Sequence, residues 1–255
     1  MFEIYERLQI LLKDGELIEP ELIGPLETYC AWASMNEIKD LKGNIEIYIK
    51  NMLEADGEPL KLILDLAEES QKSPLIKLLY LDEKIWDKLE NMKIEERVDP
   101  KKREEMLKKL KEPGTIYRMI AVDPSDSKLF IHISKSSPNK FNMHYIMNSG
   151  IFLSVGENID IEKFSKRTEE DLISAFKALS DENRLKIFRM LLEESMTTSQ
   201  IAEKIGLTLS TVNHHLKSLI SANLVGLEIS SHTGKGAKYL SNKNALRDLF
   251  ELLDL

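Results

Sequence analysis

Two adjacent histidines, His214 and His215, stand in the stretch LSTVNHHLKSL of a chain that has five histidines in all. Histidine ligates metal ions, and it also hydrogen-bonds to the bases and phosphates of nucleic acids. On a helix, neighbouring side chains point about 100° apart, whereas helical zinc ligands stand four residues apart and share one face. The adjacent pair therefore predicts no metal site.

A helix over residues 210–221 would place the two histidines in different surroundings. Its buried stripe would consist of four apolar residues, Val212, Leu216, Leu219 and Ile220. His215 would lie at the edge of this stripe and His214 on the opposite face, about 200° from Val212. We therefore interpret His215 as a semi-buried packing residue. The face of His214 carries hydroxyl, amide and basic groups, which are the groups that contact base edges and phosphates: Ser210, Asn213, Lys217 and Ser221.

The remaining candidates for chemistry are His132, His144 and Cys30. Two strands joined by a hairpin centred near residue 138 would bring His132 opposite His144. Facing histidines can begin a metal site, or they can make hydrogen bonds at the surface or in a ligand pocket. The strands contain no cysteine and no third histidine, which favours hydrogen bonds. A single cysteine, Cys30, cannot form an intramolecular disulfide, and we interpret it as a core residue. Because neither the histidines nor this cysteine predict a metal site, we predict no metal and no other cofactor.

The elements that would position these residues form two predicted domains of an α+β chain. Residues 1–160 are mostly helical up to residue 112. Four segments rich in β-branched and aromatic residues then predict an antiparallel β-meander: TIYRMIAV, KLFIHIS, FNMHYIMN and IFLSV. Residues 168–255 predict a winged helix-turn-helix domain with a terminal helix, and GENIDIEKFSKR (156–167) is the predicted linker.

The helix-turn-helix is predicted from its capping residues. Thr168-x-x-Asp171 and Thr197-x-x-Gln200 have the spacing of capping boxes, which begin helices. Gly206 stands where a helix end needs a residue that tolerates positive φ, and another helix begins near residue 210 after a brief turn. The stretch NLVGLEISSHTGKGAKYLS then predicts strand, turn and strand. It is a wing, because GKGAK lacks the spacing and the setting of a phosphate-binding loop.

The charge is unevenly distributed along the chain. The formal charge of −8 argues against a simple polybasic nucleic-acid binder. Residues 204–247 nevertheless sum to +5, because Glu228 stands there against six basic residues, Lys204, Lys217, Lys235, Lys238, Lys243 and Arg247. Since phosphate attraction acts over about 8 Å at physiological salt, a basic window can steer DNA locally.

Several classes of protein are disfavoured by what the sequence lacks. The N-terminus has no basic start and no small-residue cleavage site, so it predicts no secretory signal. No apolar run approaches the roughly 20 residues of a membrane-spanning helix, and we expect a cytoplasmic protein without membrane contact. The sequence has no G-x-S-x-G, H-E-x-x-H or Gly-rich dinucleotide motif. We therefore do not predict an enzyme.

Four segments in order resemble the winged helix-turn-helix of the ArsR-type transcriptional regulators of bacteria and archaea: ALSDENRLKIF, IAEKIGLTLSTVNHHLKSL, ANLV and the returning strand that carries Tyr239. The resemblance covers residues 170–242. It implies a homodimeric repressor or activator, of which we favour a repressor, that binds double-stranded DNA with helix 210–221 in the major groove. It also implies seven DNA contacts, five in this helix and two in the wing: Ser210, Thr211, Asn213, His214, Lys217, Lys235 and Lys238.

The metal sites known in this family are not matched here. The helix before the turn reads EESMTTS in place of a C-x-C motif, and the terminal stretch NALRDLFELLDL has no histidine. This terminal stretch instead carries an apolar stripe at helical spacing, which would serve as intrachain core or, as the resemblance favours, as a dimer seam. The stripe consists of Leu246, Leu249, Phe250 and Leu253.

The sequence thus favours a DNA-binding transcriptional regulator whose N-terminal domain senses a small molecule or a protein effector. Met143, Tyr145 and Met147 of the meander would either wall an apolar pocket for that effector or pack against the N-terminal helices. The alternative is a protein-interaction module that uses the winged helix as a scaffold without specific DNA binding. Salt-dependent DNA binding distinguishes the two.

Overall fold

The structure, a computed structural model, describes residues 1–55, 74–112, 114–123, 127–146, 149–165, 168–228, 238–242, 245, 250 and 252. The described chain divides into two compact units. The first contains residues 1–105 and 127–159, and the second contains residues 106–123 and the described residues from 160 onward. Residues 106–123 therefore lie in the second unit, whereas the sequence placed them in a domain of residues 1–160.

The elements up to residue 156 include seven α-helices in the described residues. These helices are α1 (Glu3–Lys13), α2 (Pro20–Met35), α3 (Leu41–Ala55), α4 (Pro74–Lys77), α5 (Glu83–Asn91), α6 (Pro100–Leu110) and α7 (Thr115–Ile120), with a 3-10 turn at Leu78–Tyr80. Four strands follow α7: β1 (Val122–Asp123), β2 (Leu129–Ser134), β3 (Phe141–Ile146) and β4 (Gly150–Gly156). The predicted α+β class is confirmed.

The core of the first unit forms where the apolar faces of its helices meet. Tyr5, Leu8 and Leu11 recur on α1 at helical spacing and are almost completely buried. They belong to one cluster with Tyr29 of α2 and Trp86 of α5. Fully burying a side chain of this size contributes about 1.5–3 kcal/mol, so the stripe on α1 is what fixes this helix in place.

The three-stranded sheet of the first unit has the order β2-β4-β3, with β4 antiparallel to β3 and parallel to β2. The strand order therefore differs from that of the predicted meander. The reason is the composition of β4, whose Ile151, Phe152 and Leu153 are all fully buried. A strand that is apolar on both faces belongs at the centre of a sheet, and strands with a polar face belong at its edges.

Two further strand predictions were wrong. His132 does not face His144, because β4 lies between their strands: His132 is in register with Ser154 and His144 with Phe152. The segment TIYRMIAV is a helix over Thr115–Ile120 followed by a two-residue strand. Periodicity does not distinguish a strand from a helical turn in so short an apolar run.

Both histidines of the sheet point to the same side, where α1 packs. His132 donates a hydrogen bond through Nε2 to Oε2 of Glu6, at 2.7 Å. At His144, Nε2 lies 3.1 Å from the hydroxyl of Tyr5 and Nδ1 lies 3.4 Å from Oγ1 of Thr28. Thr28 donates its own hydrogen to a carbonyl oxygen of α2. The neutral ring of His144 is therefore assigned as donating through Nδ1 and accepting through Nε2.

The stability of the chain is expected to fall between pH 6.5 and pH 4 because of His144. Burial lowers the pKa of His144 from 6.5 to about 4. Below pH 6.5 the unfolded chain binds a proton that the folded chain does not bind until about pH 4. The free energy of unfolding therefore decreases over this interval, by up to about 3 kcal/mol.

Urea unfolding of the wild type and of His144→Gln at pH 7 and pH 4.5 measures this effect. Glutamine has hydrogen-bonding groups but does not titrate in this range. We expect a smaller loss of stability in the variant than in the wild type, and equal losses in both would contradict the assignment.

The second unit contains the winged helix. After α8 (Glu162–Ser165) come α9 (Glu169–Leu179), α10 (Glu182–Glu193), β5 (Met196–Thr197), α11 (Thr198–Ile205), α12 (Leu209–Ser221), β6 (Val225–Glu228) and β7 (Lys238–Ser241). Both predicted capping boxes, at Thr168 and at Thr197, are present. The sheet has the order β1-β6-β7-β5.

Strand β1 joins the wing sheet through β6. The amide of Leu227 donates to the carbonyl oxygen of Ala121 at 2.8 Å, and Val122 pairs with Leu227 in parallel register. A Cβ atom at Gly226 would overlap the hydroxyl of Tyr117 and the carbonyl oxygen of Ala121. Glycine is therefore needed at this position for the backbone of β6 to approach the segment 117–122 so closely.

Candidate DNA-binding surface

The helix-turn-helix is built from α11 and α12. Helix α11 ends at Gly206, which has φ of 69° and so adopts the left-handed conformation that glycine tolerates best. Helix α12 begins after Thr208, whose hydroxyl accepts a hydrogen bond from the amide of Thr211. The two helices pack through a shared cluster that includes Ile201 and Val212, both fully buried. This packing sets the orientation of α12.

Helix α12 has one buried and one exposed face. Val212, Leu216 and Leu219 are buried in the cluster, and His215 lies beside them with 8% of its surface exposed. The opposite face exposes His214, as the helical wheel indicates. The other exposed polar residues of α12 are Ser210, Asn213, Lys217 and Ser221.

Three side chains of the exposed face are free to bind a ligand. Within the described chain, Ser210, His214 and Lys217 have no side-chain hydrogen bond and no ion pair. Asn213 accepts one long hydrogen bond, 3.5 Å from the hydroxyl of Thr198, and its amide nitrogen remains available as a donor. Hydroxyl, imidazole, amide and ammonium groups on one helix face are suited to base edges and phosphates.

Thr211 differs from its neighbours on α12. It is half-buried, and its hydroxyl lies 2.8 Å from the hydroxyl of Thr208. It is therefore part of the helix cap. Its predicted contact is with a phosphate near the helix N-terminus, where backbone N–H groups and the helix dipole favour an anion.

His215 connects α12 to the start of α10. Its Nδ1 atom is 3.7 Å from the carboxylate of Asp181, the N-cap residue of α10. The backbone amide of Arg184, followed by the charges of Arg184 and His215, lowers the pKa of Asp181. His215 thus has a structural position, separate from the exposed face of His214.

The wing is described in part. In β6 and β7, Glu228 is in register with Lys238, which is half-buried. The predicted contact Lys235 lies outside the described residues. Three residues of the predicted terminal stripe, Leu246, Leu249 and Leu253, also lie outside them, and the fourth, Phe250, is exposed.

The exposed apolar residues of this unit are a feature that the sequence analysis missed. Ile173 and Phe176, one turn apart on α9, are each 52% exposed. The stripe Leu172, Phe176 and Leu179 has the right spacing for a core, and its leucines do pack against the cluster. A helical wheel shows which residues share a face of one helix, but it does not show how much of that face the neighbouring helices cover. The exposure of Phe176 was therefore not predictable from the sequence.

The described residues contain no group of three or more His, Cys, Asp or Glu side chains arranged to hold a metal ion. Cys30 is fully buried, and this burial raises the pKa of its thiol. Among the same residues, no helix combines the length and the apolar character that crossing a membrane requires.

Known proteins match part of the chain. The family model described as bacterial regulatory protein, arsR family, matches residues 181–226. The cadmium resistance transcriptional regulatory proteins CadC of Listeria innocua and Lactococcus lactis are each 38% identical over 78 residues, which are 30% of this chain and 63% of the relative. The chain thus spans less than two thirds of the length of these relatives.

Two solved structures match the chain weakly over 34% of its length, each with 26% identity. One is an ArsR-like transcriptional regulator from Rhodococcus sp. RHA1, of which 78% is covered with a TM-score of 0.31. The other is the homodimeric winged helix-turn-helix DNA-binding domain of Mb0332 from Mycobacterium bovis, of which 77% is covered with a TM-score of 0.29. The residues that the arsR family model matches, 181–226, span α10, α11, α12 and the start of β6.

Proposed function

We propose that the protein is a DNA-binding transcriptional regulator that represses by occupying an operator as a dimer, with α12 in the major groove. The observation that carries this proposal is the exposed face of α12, within the residues that the arsR family model matches. The side chains of His214 and Lys217 on this face have no hydrogen bond and no ion pair within the described chain. In helix-turn-helix proteins the second helix reads base edges and the first crosses the backbone.

The electrostatics of the C-terminal part support this assignment. The local charge of +5 over residues 204–247 lies within a chain of charge −8, so this stretch can attract phosphate although the chain as a whole is acidic. Lys217 is exposed on the reading face of α12. Binding should therefore depend steeply on salt, because each neutralised phosphate releases counterions.

Selection of binding sites from a random-sequence DNA library with the full chain tests this proposal. We expect enrichment of one motif with two related half-sites about one helical turn apart. Fluorescence anisotropy between about 50 and 200 mM salt should then show affinity for this motif that falls steeply. No enriched motif, with weak binding to all DNA, would favour the alternative of a protein-interaction scaffold, which the overall acidity of the chain supports.

The dimer is supported by the apolar face of α9. Ile173 and Phe176 present adjacent apolar side chains to solvent, and Leu185 of α10 and Phe250 are also exposed. Apolar side chains that lie together on a surface mark association sites. We expect a second copy of the same unit to pack against this apolar face. A pseudopalindromic operator requires such a dimer, because the symmetry of the DNA site mirrors that of the protein.

Replacing Ile173 and Phe176 together with aspartate is expected to convert the dimer to a monomer. Two charges at the centre of an apolar interface remove the burial that drives association and add a desolvation cost. Size-exclusion chromatography with light scattering measures the mass, and we expect operator affinity to fall more than tenfold. Leu17→Asp, at a nearly fully exposed leucine of the first unit, is the matched control. A double variant that keeps the wild-type dimer would refute this interface.

The effector role of the first unit is supported by a cavity of about 1130 Å³. Phe2, Glu6 and His132 line it together with Ile94, Val98 and Ile133. A pocket wall was one of the two interpretations of Met143 and Tyr145, but neither is among the residues that line this cavity, and Met147 lies outside the described residues. Nine of the sixteen residues that line the cavity are charged, so it would suit a small molecule that carries charged or polar groups.

A thermal-shift screen of small molecules tests the effector role. An effector of this site should raise the melting temperature of the wild type, because a ligand that binds only the folded state stabilises it. The same molecule should have a smaller effect on Ile94→Trp, which narrows the cavity. The proposal includes no metal effector, because the single cysteine is buried and the C-x-C motif is absent.

A further inference from the structure

Helix α12 begins with an apolar residue that its own fold does not bury. Leu209 is 52% exposed. Within Leu209–Ser221, all of which the structure describes, it is the sole large apolar side chain that is exposed. Val212, Leu216 and Leu219 of the same helix are at most 1% exposed. Leu209 is therefore not part of the buried cluster that holds α12.

The position of Leu209 places it among the groups proposed to read DNA. It is the first residue of α12, and the N-terminal residues of a recognition helix are those that contact base edges. Asn213 follows one turn later on the adjoining part of the helix surface, and Ser210, which points about 100° away, belongs to the same first turn. Both are exposed and polar. Leu209 thus adds an apolar group to a surface of hydrogen-bonding groups.

We propose that Leu209 recognises the 5-methyl group of a thymine in each half-site of the operator, an inference that rests on the proposed function. In the major groove, thymine is the one standard base that presents a methyl group, and apolar side chains contact it. A leucine side chain cannot form a hydrogen bond with a base. It can increase the affinity of the protein for DNA only by removing apolar surface from water, as contact with a methyl group does. Leu209 is a specificity-determining residue in this scheme.

The replacement of single thymines by deoxyuridine in the selected operator tests the proposal. This change removes the methyl group and leaves the hydrogen-bonding edge of the base intact. We expect one thymine in each half-site at which deoxyuridine weakens wild-type binding about fourfold, the factor that one buried methyl group contributes. Leu209→Ala should bind the thymine operator more weakly than the wild type and should bind the thymine and deoxyuridine operators equally.

Two variants serve as controls. Leu17→Ala makes the same substitution at an exposed leucine of the first unit and should keep the fourfold methyl effect. Lys217→Ala should weaken binding to both operators by the same factor, because phosphate contacts do not depend on the methyl group. Leu209 is exposed and alanine favours helices, so Leu209→Ala should fold.

Three results would overturn the inference: an operator whose half-sites contain no thymine, an operator in which every deoxyuridine substitution is tolerated, and a methyl effect that persists in Leu209→Ala. Each of these leaves sequence-specific binding intact, so the proposed function would stand. Failure of the wild type to select any motif is the different result that would remove the proposed function, and this inference with it.

Discussion

The double substitution His214→Ala/Lys217→Ala is expected to lower affinity for the selected operator by about a hundredfold or more. Neither side chain has a hydrogen bond or an ion pair within the described chain, so both are available for DNA. A side chain that discriminates a base edge, as proposed for His214, contributes about 1–3 kcal/mol. With the phosphate contact of Lys217 also lost, the two changes correspond to about two orders of magnitude in affinity. Fluorescence anisotropy with labelled operator measures this change.

The fold of α12 should survive this double substitution, because both side chains are exposed and its buried stripe is untouched. Circular dichroism checks this point. Lys13→Ala, which removes an exposed charge from the first unit, is the matched control and should bind like the wild type. Lys217→Ala alone should reduce the slope of log affinity against log salt by about 1. A double variant within threefold of wild-type affinity would refute the assignment of this face.

Replacing Glu6 with alanine is expected to lower the free energy of unfolding by about 3 kcal/mol, because hydrogen bonds to a charged acceptor contribute about 1.5–3 kcal/mol each and several are lost. Its carboxylate accepts four hydrogen bonds, from the imidazole of His132, the hydroxyl of Ser134 and the backbone amides of Lys135 and Ser136. Alanine would leave these donors without an acceptor in a buried site, and unsatisfied buried donors are costly. Urea unfolding at pH 7 measures the difference.

The protonation of Glu6 supports the same expectation. Burial by itself raises the pKa of Glu6, but the hydrogen bond and charge of His132 and the amide of Ser136 outweigh it and lower the pKa from 4.5 to about 2. The stabilising contribution is therefore complete above about pH 4.5 and is lost as the pH falls through about 2.

Glu3→Ala is the matched control for this substitution. It removes a more exposed carboxylate of α1 that pairs with Arg97, and exposed ion pairs contribute at most about 1 kcal/mol. If Glu6→Ala destabilises the chain no more than Glu3→Ala, the buried hydrogen bonds do not contribute as proposed.

The helix-turn-helix was predictable because its determinants are local. The capping boxes at Thr168 and Thr197, the left-handed Gly206 and the separation of His214 from His215 follow from residues within a few positions of one another. Such short-range patterns fix the start, the end and the buried face of a helix without reference to the rest of the chain.

The sequence predicted the positions of the three strands in the first unit but not their order in the sheet. KLFIHIS, FNMHYIMN and IFLSV each contain a strand, but their order depends on which strand has two faces to bury. Which strand takes the central position depends on the packing of the whole unit. A hairpin and an arrangement with a third strand inserted between its two strands have the same local periodicity, so the sequence pattern does not distinguish them.

Local sequence patterns thus predicted the helix-turn-helix and the polar face of α12. Three other features depend on packing between distant segments: the hydrogen bond between Glu6 and His132, which are 126 positions apart; the addition of Val122 and Asp123 to the wing sheet; and the exposure of Leu209, Ile173 and Phe176. The reason is that helix periodicity and capping are encoded over a few residues, whereas pairing between distant segments and exposure to solvent depend on how the whole chain packs.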